Sequence, residues 1–325
     1  MRDILQGLRR VQVGVLGDVV LDRYVFGTTN RISREAPVPV VLHEREEMRP
    51  GGAANAAVNA AVLGSRVSLL GVVGRDEAAA RFRECMRGSG VKLHLVVEKG
   101  RHTAQKLRVM AGALGTRHQQ VLRLDRDPVA RPHVDTVRNV VATLRREAGR
   151  GMGALLLSDY GQGFMDTDIV DAAVGLARKG LPVVVDSRYA LGRARGPVVL
   201  KPNAPELGEL AGAPVTSVED VVEAARAVLR RQQAAAVVAT RGREGMVVVQ
   251  KGGKVAVLPA HGNGEVTDVT GAGDTVAAAL TAALGAGVTL ERAASLANVA
   301  ASVVVGKLGA ATASPDEILA ALEAS

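Results

Sequence analysis

An α/β fold with a mostly parallel central sheet, helices on both faces and a small β-sheet lid is predicted by three features of the sequence. Short apolar runs ending in Gly or Asp alternate with helix-forming, often alanine-rich stretches, and this rhythm repeats along most of the 325 residues. It breaks once, where segments near 91–97, 104–110 and 119–125 follow one another with no helix between them. Hydrophobic residues make up 47% of the chain and charged residues 23%, enough for a sizeable core.

In chain order, Val11–Leu16 is a buried strand that ends at Gly17-Asp18, with Asp22 four residues further on. Ligands in open α/β sheets sit beyond the carboxyl ends of strands, so both acids are candidate acceptors for sugar hydroxyls; Asp18 alone also fits an ordinary turn aspartate. The alternation of Val and Pro in Ala36-Pro37-Val38-Pro39-Val40 makes the region from Tyr24 to Leu42 an extended edge segment, because Pro fixes φ and lacks an N–H. Gly51-Gly52 opens a helix at 53–63, which Gly64 stops; the glycine pair lets a ligand approach the backbone, and Asn55 can turn its amide to it. A buried strand Val67–Val73 and a helix at 76–88 follow. The three short strands, which carry Lys106, Arg108 and Arg123, are expected to join the earlier segment in a lid formed by about 23–42 and 94–124, within one domain of 1–325. The rhythm then resumes with a helix at 134–148, strand Ala154–Ser158, helix 166–178, strands Pro182–Asp186 and Val198–Lys201, helices 204–212 and 218–231, and strand Ala235–Thr240. A glycine-punctuated turn, Thr240-Arg241-Gly242-Arg243-Glu244-Gly245, leads to strands 246–250 and 254–258, and helices at 275–284, 290–305 and 315–323 close the chain.

The charge balance, 41 Lys and Arg against 33 Asp and Glu, gives +8 and suits anionic partners. Nucleic acid is not among them, because aromatics are 2%, Trp is absent and no basic block is interleaved with Phe or Tyr; phosphorylated small molecules fit. The lone Cys85 excludes an intrachain disulfide, suits a reducing compartment and reads as a half-buried helix filler. Six His residues lack H-x-x-x-H or Cys-paired spacing, which argues against zinc. With no apolar leader at Met1–Leu5 and no run of membrane-span length, a cytoplasmic protein without a membrane partner is expected.

The chain is organised around Asp268-Val269-Thr270-Gly271-Ala272-Gly273-Asp274. Two glycines permit a tight turn, and the helix behind them leaves its first N–H groups free to seat an anion. A carboxylate there repels a phosphate unless it has chemistry to perform, so Asp274 is either a general base or merely a helix cap. Known phosphate motifs are absent: Gly306-Lys307 is followed by Leu308, Gly253-Lys254 by Val255, and Gly271-Ala272-Gly273 meets Val276 where a further glycine belongs.

These residues carry a family resemblance. Gly51-Gly52-Ala53-Ala54-Asn55 with Gly64 and Gly74 resembles the first signature of the ribokinase-like (PfkB) carbohydrate kinases, and Asp268–Asp274 resembles the second, more than two hundred residues later. Within that family the chain looks closest to the bacterial D-glycero-β-D-manno-heptose 7-phosphate kinases. The stretches concerned are Gly17–Tyr24, Arg31-Ile32-Ser33, Glu35–Val40, Arg49–Asn55, Lys106–Val109 and Gly306–Gly309. The resemblance implies a ribokinase-like three-layer fold and ATP-dependent phosphorylation of the sugar's C1 hydroxyl, a step toward ADP-heptose and the lipopolysaccharide core. It also implies the roles of individual residues. Asp274 would be the base, and the N–H groups of Gly271, Ala272, Gly273 and Asp274 would hold the transferred phosphoryl. Asp18, Asp22, Gly51, Gly52 and Asn55 would hold the sugar, and Lys106, Arg108 or Arg123 its 7-phosphate. Asn203 and Glu206, in an N-x-x-E pattern, would organise Mg2+ and the ATP phosphates through water. Thr240, Gly242 and Gly245 would form the nucleotide turn, with Asn298 near the adenine. Asp268 and Thr270 match positions that bind a monovalent cation such as K+ in some members. Bifunctional members continue into a nucleotidyltransferase domain with an H-x-G-H motif; the sequence reaches Ser325 without one, so the kinase step alone is expected. The lid's exposed edge is expected to pair two copies into a homodimer. Two departures, Asp186-Ser187-Arg188 for Asp-Pro-Lys and Gln162 for a Lys, leave a related kinase acting on another sugar or sugar phosphate as the alternative. A sugar- or nucleotide-binding module without catalysis is the non-enzyme alternative.

Overall fold

The apolar runs pair side by side in the computed structural model, which describes residues 1–113, 118–128, 131–262, 267–307 and 309–324; Leu308, within the stretch Gly306–Gly309, lies outside them. The chain begins with α1 (Arg2–Leu8), β1 (Gln12–Gly17), β2 (Val19–Ile32), β3 (Pro39–Gly52), α2 (Ala53–Val62), β4 (Arg66–Gly74) and α3 (Glu77–Cys85). It continues through β5 (Val91–Glu98), β6 (Ala104–Gly112), β7 (Gln119–Arg126), α4 (Val134–Ala148), β8 (Ala154–Asp159), α5 (Thr167–Arg178), β9 (Val183–Ser187) and β10 (Val199–Leu200). The remainder is α6 (Ala204–Ala211), α7 (Val218–Gln232), β11 (Ala236–Thr240), β12 (Met246–Gln250), β13 (Val255–Leu258), α8 (Ala272–Gly285), α9 (Leu290–Val305) and α10 (Pro315–Glu323).

Among the described residues, nine strands form one sheet in the order β13-β12-β11-β10-β9-β8-β1-β4-β5. Every neighbouring pair from β5 to β11 is parallel, and β12 and β13 add antiparallel at one edge. Period-two alternation along these strands feeds two cores. Val13, Val15, Leu156, Val184, Val238 and Val248 face one core, with the alanine-rich α2, α8 and α9; Leu155, Leu157, Val183, Val185, Val237 and Val249 face the other, with α4, α5 and α7. The result is a three-layer α/β fold with the carboxyl ends of β1, β8, β9 and β10 along one rim.

A second sheet, β3-β2-β6-β7, stands off this body, with β2 and β6 parallel and the outer pairs antiparallel. Its membership differs from the expected 23–42 and 94–124. The segment expected near 91–97 is β5, which lies parallel to β4 at the edge of the main sheet, and Val91, Leu93 and Leu95 pack on the first core. The hairpin is also longer than expected, because β3 runs on to Gly52. Helix α1 was not anticipated; it buries Ile4, Leu5 and Leu8.

Candidate active site

Helix α8 starts at Gly271, whose φ of 81° is left-handed and whose added Cβ would lie 2.9 Å from Asn55 Nδ2, so glycine serves both the turn and the close approach. Asp274 sits in the first turn, 5% exposed. The helix end carries no side-chain cap hydrogen bond, so capping is not what the Asp274 carboxylate does. It accepts instead from Asn55 Nδ2 at 2.6 Å and from the Tyr160 hydroxyl. Burial raises its pKa, the hydrogen bonds from Tyr160 and Asn55 pull it down, and the balance leaves it at about 6. Burial, together with the Asp274 charge, pushes the Tyr160 phenol well above its usual range, which keeps it a hydrogen-bond donor.

Asn55 reaches Asp274 because α2 starts at Gly52, whose φ is 58° and whose added Cβ would lie 2.5 Å from the Asp18 carbonyl. One turn further on, Asn59 Oδ1 accepts from Thr275 Oγ1 at 2.8 Å, so α2 and α8 are cross-linked twice through polar groups within an alanine interface.

Asp18 and Asp22 are both buried. Asp18, just past β1, accepts the Tyr160 and Gln162 N–H groups through Oδ2 at 2.7 and 3.2 Å, while its Oδ1 is buried with no hydrogen-bond partner among the described residues. Burial and the neighbouring Asp159 push its pKa up to about 7. Asp22 on β2 accepts from Arg108 Nη1 at 2.6 Å, and Gly51 leaves room for it: an added Cβ there would lie 2.4 Å from Asp22 Oδ2. Lys106 Nζ lies 5.5 Å from the centre of the Tyr160 ring, beside Asp274. Arg123, by contrast, forks onto its strand neighbour Asp125 at 2.8 and 2.6 Å and is 44% exposed.

Asn203 and Glu206 form a reciprocal capping box at the start of α6: Asn203 Oδ1 accepts the Glu206 N–H at 2.8 Å, and Glu206 Oε2 accepts the Asn203 N–H at 2.9 Å. The motif thus has a local structural task, and a bridge from Asn203 to Thr240 ties it to the end of β11. A cavity of about 890 Å³ opens beside α8, lined by Thr240, Gly242, Gly245, Gly273, Asn298 and Gly306 among others. Asn298 Nδ2 donates to the Pro259 carbonyl at 2.6 Å. Asp268 accepts the Thr270 and Gly309 N–H groups, each at 2.9 Å, and so ties two loops together.

Two residues absent from the predicted site belong to this constellation. Tyr160 is one. Lys201 is the other: it follows β10, is 4% exposed, and its Nζ lies 3.0 Å from Asp186 Oδ1 and 3.9 Å from a Cβ placed on Gly273. The available signal was position, since each directly follows an apolar strand run at the ligand-facing rim.

The pfkB family carbohydrate kinase profile matches residues 12–317. The chain is 44% identical over 321 residues to the bifunctional protein HldE of Halorhodospira halophila, covering 98% of this chain and 65% of that protein. It is 41% identical to the HldE protein of Erwinia tasmaniensis, covering 100% of this chain and 66% of that one. The chain therefore spans just under two thirds of these relatives' length. Among solved structures it resembles Escherichia coli phosphofructokinase-2 in complex with potassium, at a TM-score of 0.79 and 22% identity over 97% of this chain and 98% of that one. It also resembles Arabidopsis thaliana ribokinase complexed with ribose and ATP, at 0.73 and 22% over 97% and 99%. These likenesses make the three-layer architecture a ribokinase-like fold.

Proposed function

The chain belongs to the pfkB family of carbohydrate kinases, and from that premise we propose that it transfers the γ-phosphoryl of ATP to the C1 hydroxyl of D-glycero-β-D-manno-heptose 7-phosphate, giving the 1,7-bisphosphate. The observation that carries the reading is Asp274: a buried carboxylate with a pKa of about 6, in the first turn of a helix, held by Asn55 and Tyr160. As the C1 oxygen bonds to the γ-phosphorus and the bond to the ADP oxygen breaks, Asp274 takes the hydroxyl proton, and the N–H groups of Gly271, Gly273 and Asp274 hold the equatorial oxygens, with that of Ala272 turned at 3.3 Å to the Val269 carbonyl. Asp18, with an unpartnered oxygen, and Asp22 accept sugar hydroxyls; Lys106 and Arg108 take the 7-phosphate. The exposed Arg123 is the weaker of the three proposed phosphate cations. The lysine at 201 offers a positive charge beside the first turn.

The nucleotide lies in the cavity with its base toward Asn298, and Thr240, Gly242 and Gly245 line its entrance. No group of three or more His, Cys, Asp or Glu among the described residues is arranged to hold a metal unaided. Asn203 and Glu206, already engaged with each other, fit a Mg2+ bound mainly by nucleotide phosphates and water, which would neutralise phosphate charge. Each Asp268 oxygen accepts one N–H and keeps a lone pair, so K+ at Asp268 and Thr270 is proposed as well. The product feeds ADP-heptose and lipopolysaccharide core synthesis in the cytoplasm, and two copies pair through the small sheet.

The test is phosphoryl transfer from ATP to a panel of sugars and sugar phosphates, with the parent protein and Asp274→Asn. Heptose 7-phosphate is expected to be the best acceptor, and the variant to bind ATP while turning over at least about a hundredfold more slowly. Turnover within a few-fold of the parent removes Asp274 from the role. A different preferred sugar phosphate is the outcome that Gln162 and Asp186-Ser187-Arg188 would explain.

A further inference from the structure

Asp22 and Arg108 each have a proposed task on the substrate, one toward a hydroxyl and one toward the phosphate, yet the structure joins them to each other. Their side chains are 10% and 14% exposed, and Arg108 Nη1 lies 2.6 Å from Asp22 Oδ1. The contact is diagonal across β2 and β6: Lys106 stands opposite Asp22 and Arg108 opposite Tyr24. The Arg108 guanidinium lies over the Tyr24 ring, 5.1 Å from its centre, which fixes its plane. Arg49, opposite Asp22 on the other side, bonds Glu47 at 2.8 Å. The second Asp22 oxygen packs against the bare Cα of Gly51.

A neutral hydroxyl is a poor competitor for a carboxylate already engaged by a guanidinium in a site that little water reaches, since displacing the arginine leaves a buried charge unpaired. A sugar that carries a phosphate supplies the missing partner. The planar guanidinium fork transfers to the phosphate oxygens and the carboxylate is released to accept the sugar hydroxyl, so the arginine keeps an anionic partner and the carboxylate keeps a hydrogen-bond donor. We propose that the Asp22–Arg108 ion pair is a specificity-determining exchange: it yields its carboxylate to a sugar that brings its own phosphate and withholds it from one that does not. This inference rests on the reading of the substrate as a sugar phosphate.

The experiment compares kcat/KM for heptose 7-phosphate and unphosphorylated heptose, in the parent protein, Arg108→Gln and Arg108→Lys. In the parent the phosphorylated sugar is favoured by about ten-thousandfold, as expected when the wrong substrate strands a buried polar group. Arg108→Gln is expected to raise KM for the phosphorylated sugar about tenfold or more with a smaller change in kcat, and to raise kcat/KM for heptose itself, because Asp22 is then free. Arg108→Lys, which keeps the charge without the fork, falls between, and it stands in if the Gln variant does not fold. Millimolar inorganic phosphate added to the parent is expected to stimulate turnover of heptose by engaging Arg108. Equal losses on both sugars in Arg108→Gln overturn the exchange. If the parent ignores heptose 7-phosphate but uses another sugar phosphate, the heptose assignment fails, and the same comparison on that sugar with and without its phosphate judges the ion pair. A parent that phosphorylates only unphosphorylated sugars overturns both.

Discussion

At the scale of single residues, the balance at Asp274 sets a pH dependence. Burial raises the carboxyl and the bonds from Tyr160 and Asn55 lower it, to about 6. Since only the ionised form can accept a proton, protonation of Asp274 alone is expected to lower kcat/KM for the sugar about tenfold per pH unit below that value. Asp18, raised to about 7 by burial and Asp159, adds a second group to the acid limb. Tyr160→Phe deletes a donor to the charged form, so the Asp274 inflection is expected to move to higher pH; a pH–rate profile of the variant checks the direction, and an unmoved or lowered inflection refutes it. Both carboxyls are raised from an ordinary 3.8, so the native state binds these protons more tightly than the unfolded chain. The stability they contribute is complete below about pH 4 and is lost as pH rises through 6 to 7. Asp274, Asn55 and Asp18 were legible because glycine-rich turns and strand ends announce them. Tyr160 and Lys201 share the strand-end position, but what singles them out is a neighbour across the sheet rim, Asp274 for one and Asp186 for the other.

Among elements, the parallel sheet was legible because period-two alternation and intervening helices leave few other topologies. The misplaced strand near 91–97 shows the limit of that signal: β5, half-buried at the sheet edge, alternates just as a strand of the small sheet does, and only its register with β4 tells them apart. Helix α1 is too short, at seven residues, to display a helical period. The N-x-x-E pattern reads as a metal motif, while each side chain first accepts the other residue's backbone N–H at the start of α6. A prediction at this scale concerns α2, whose entry depends on Gly52 at φ 58°. Gly52→Ala would force a Cβ to within 2.5 Å of the Asp18 carbonyl in a conformation that L-residues avoid. A loss of about 2–3 kcal/mol is expected in urea unfolding, from backbone strain and displacement of β1's end. A change below about 0.5 kcal/mol, the range of an inert surface substitution, would show that the helix start tolerates a side chain.

For the whole molecule, the small sheet leaves apolar side chains in solvent: Ile32 is 62% exposed, Leu122 57% and Leu124 60%. Leu122 and Leu124 alternate onto the same face of β7, a strand with one edge unpaired among the described residues. Such a surface suits association with a second copy. The parent is expected to sediment as a dimer and the double variant Leu122→Glu/Leu124→Glu as a monomer, with KM for the sugar raised more than KM for ATP. An unchanged sedimentation coefficient would move the contact elsewhere. The Asn55–Asp274 and Asn59–Thr275 cross-links bear on how such a molecule could move. Helices whose alanine faces touch and whose amides and oxygens are keyed together cannot slide without breaking several bonds at once. The floor of the active centre is therefore stiff, and whatever breathing admits a sugar and releases its product falls to the detached strands above it.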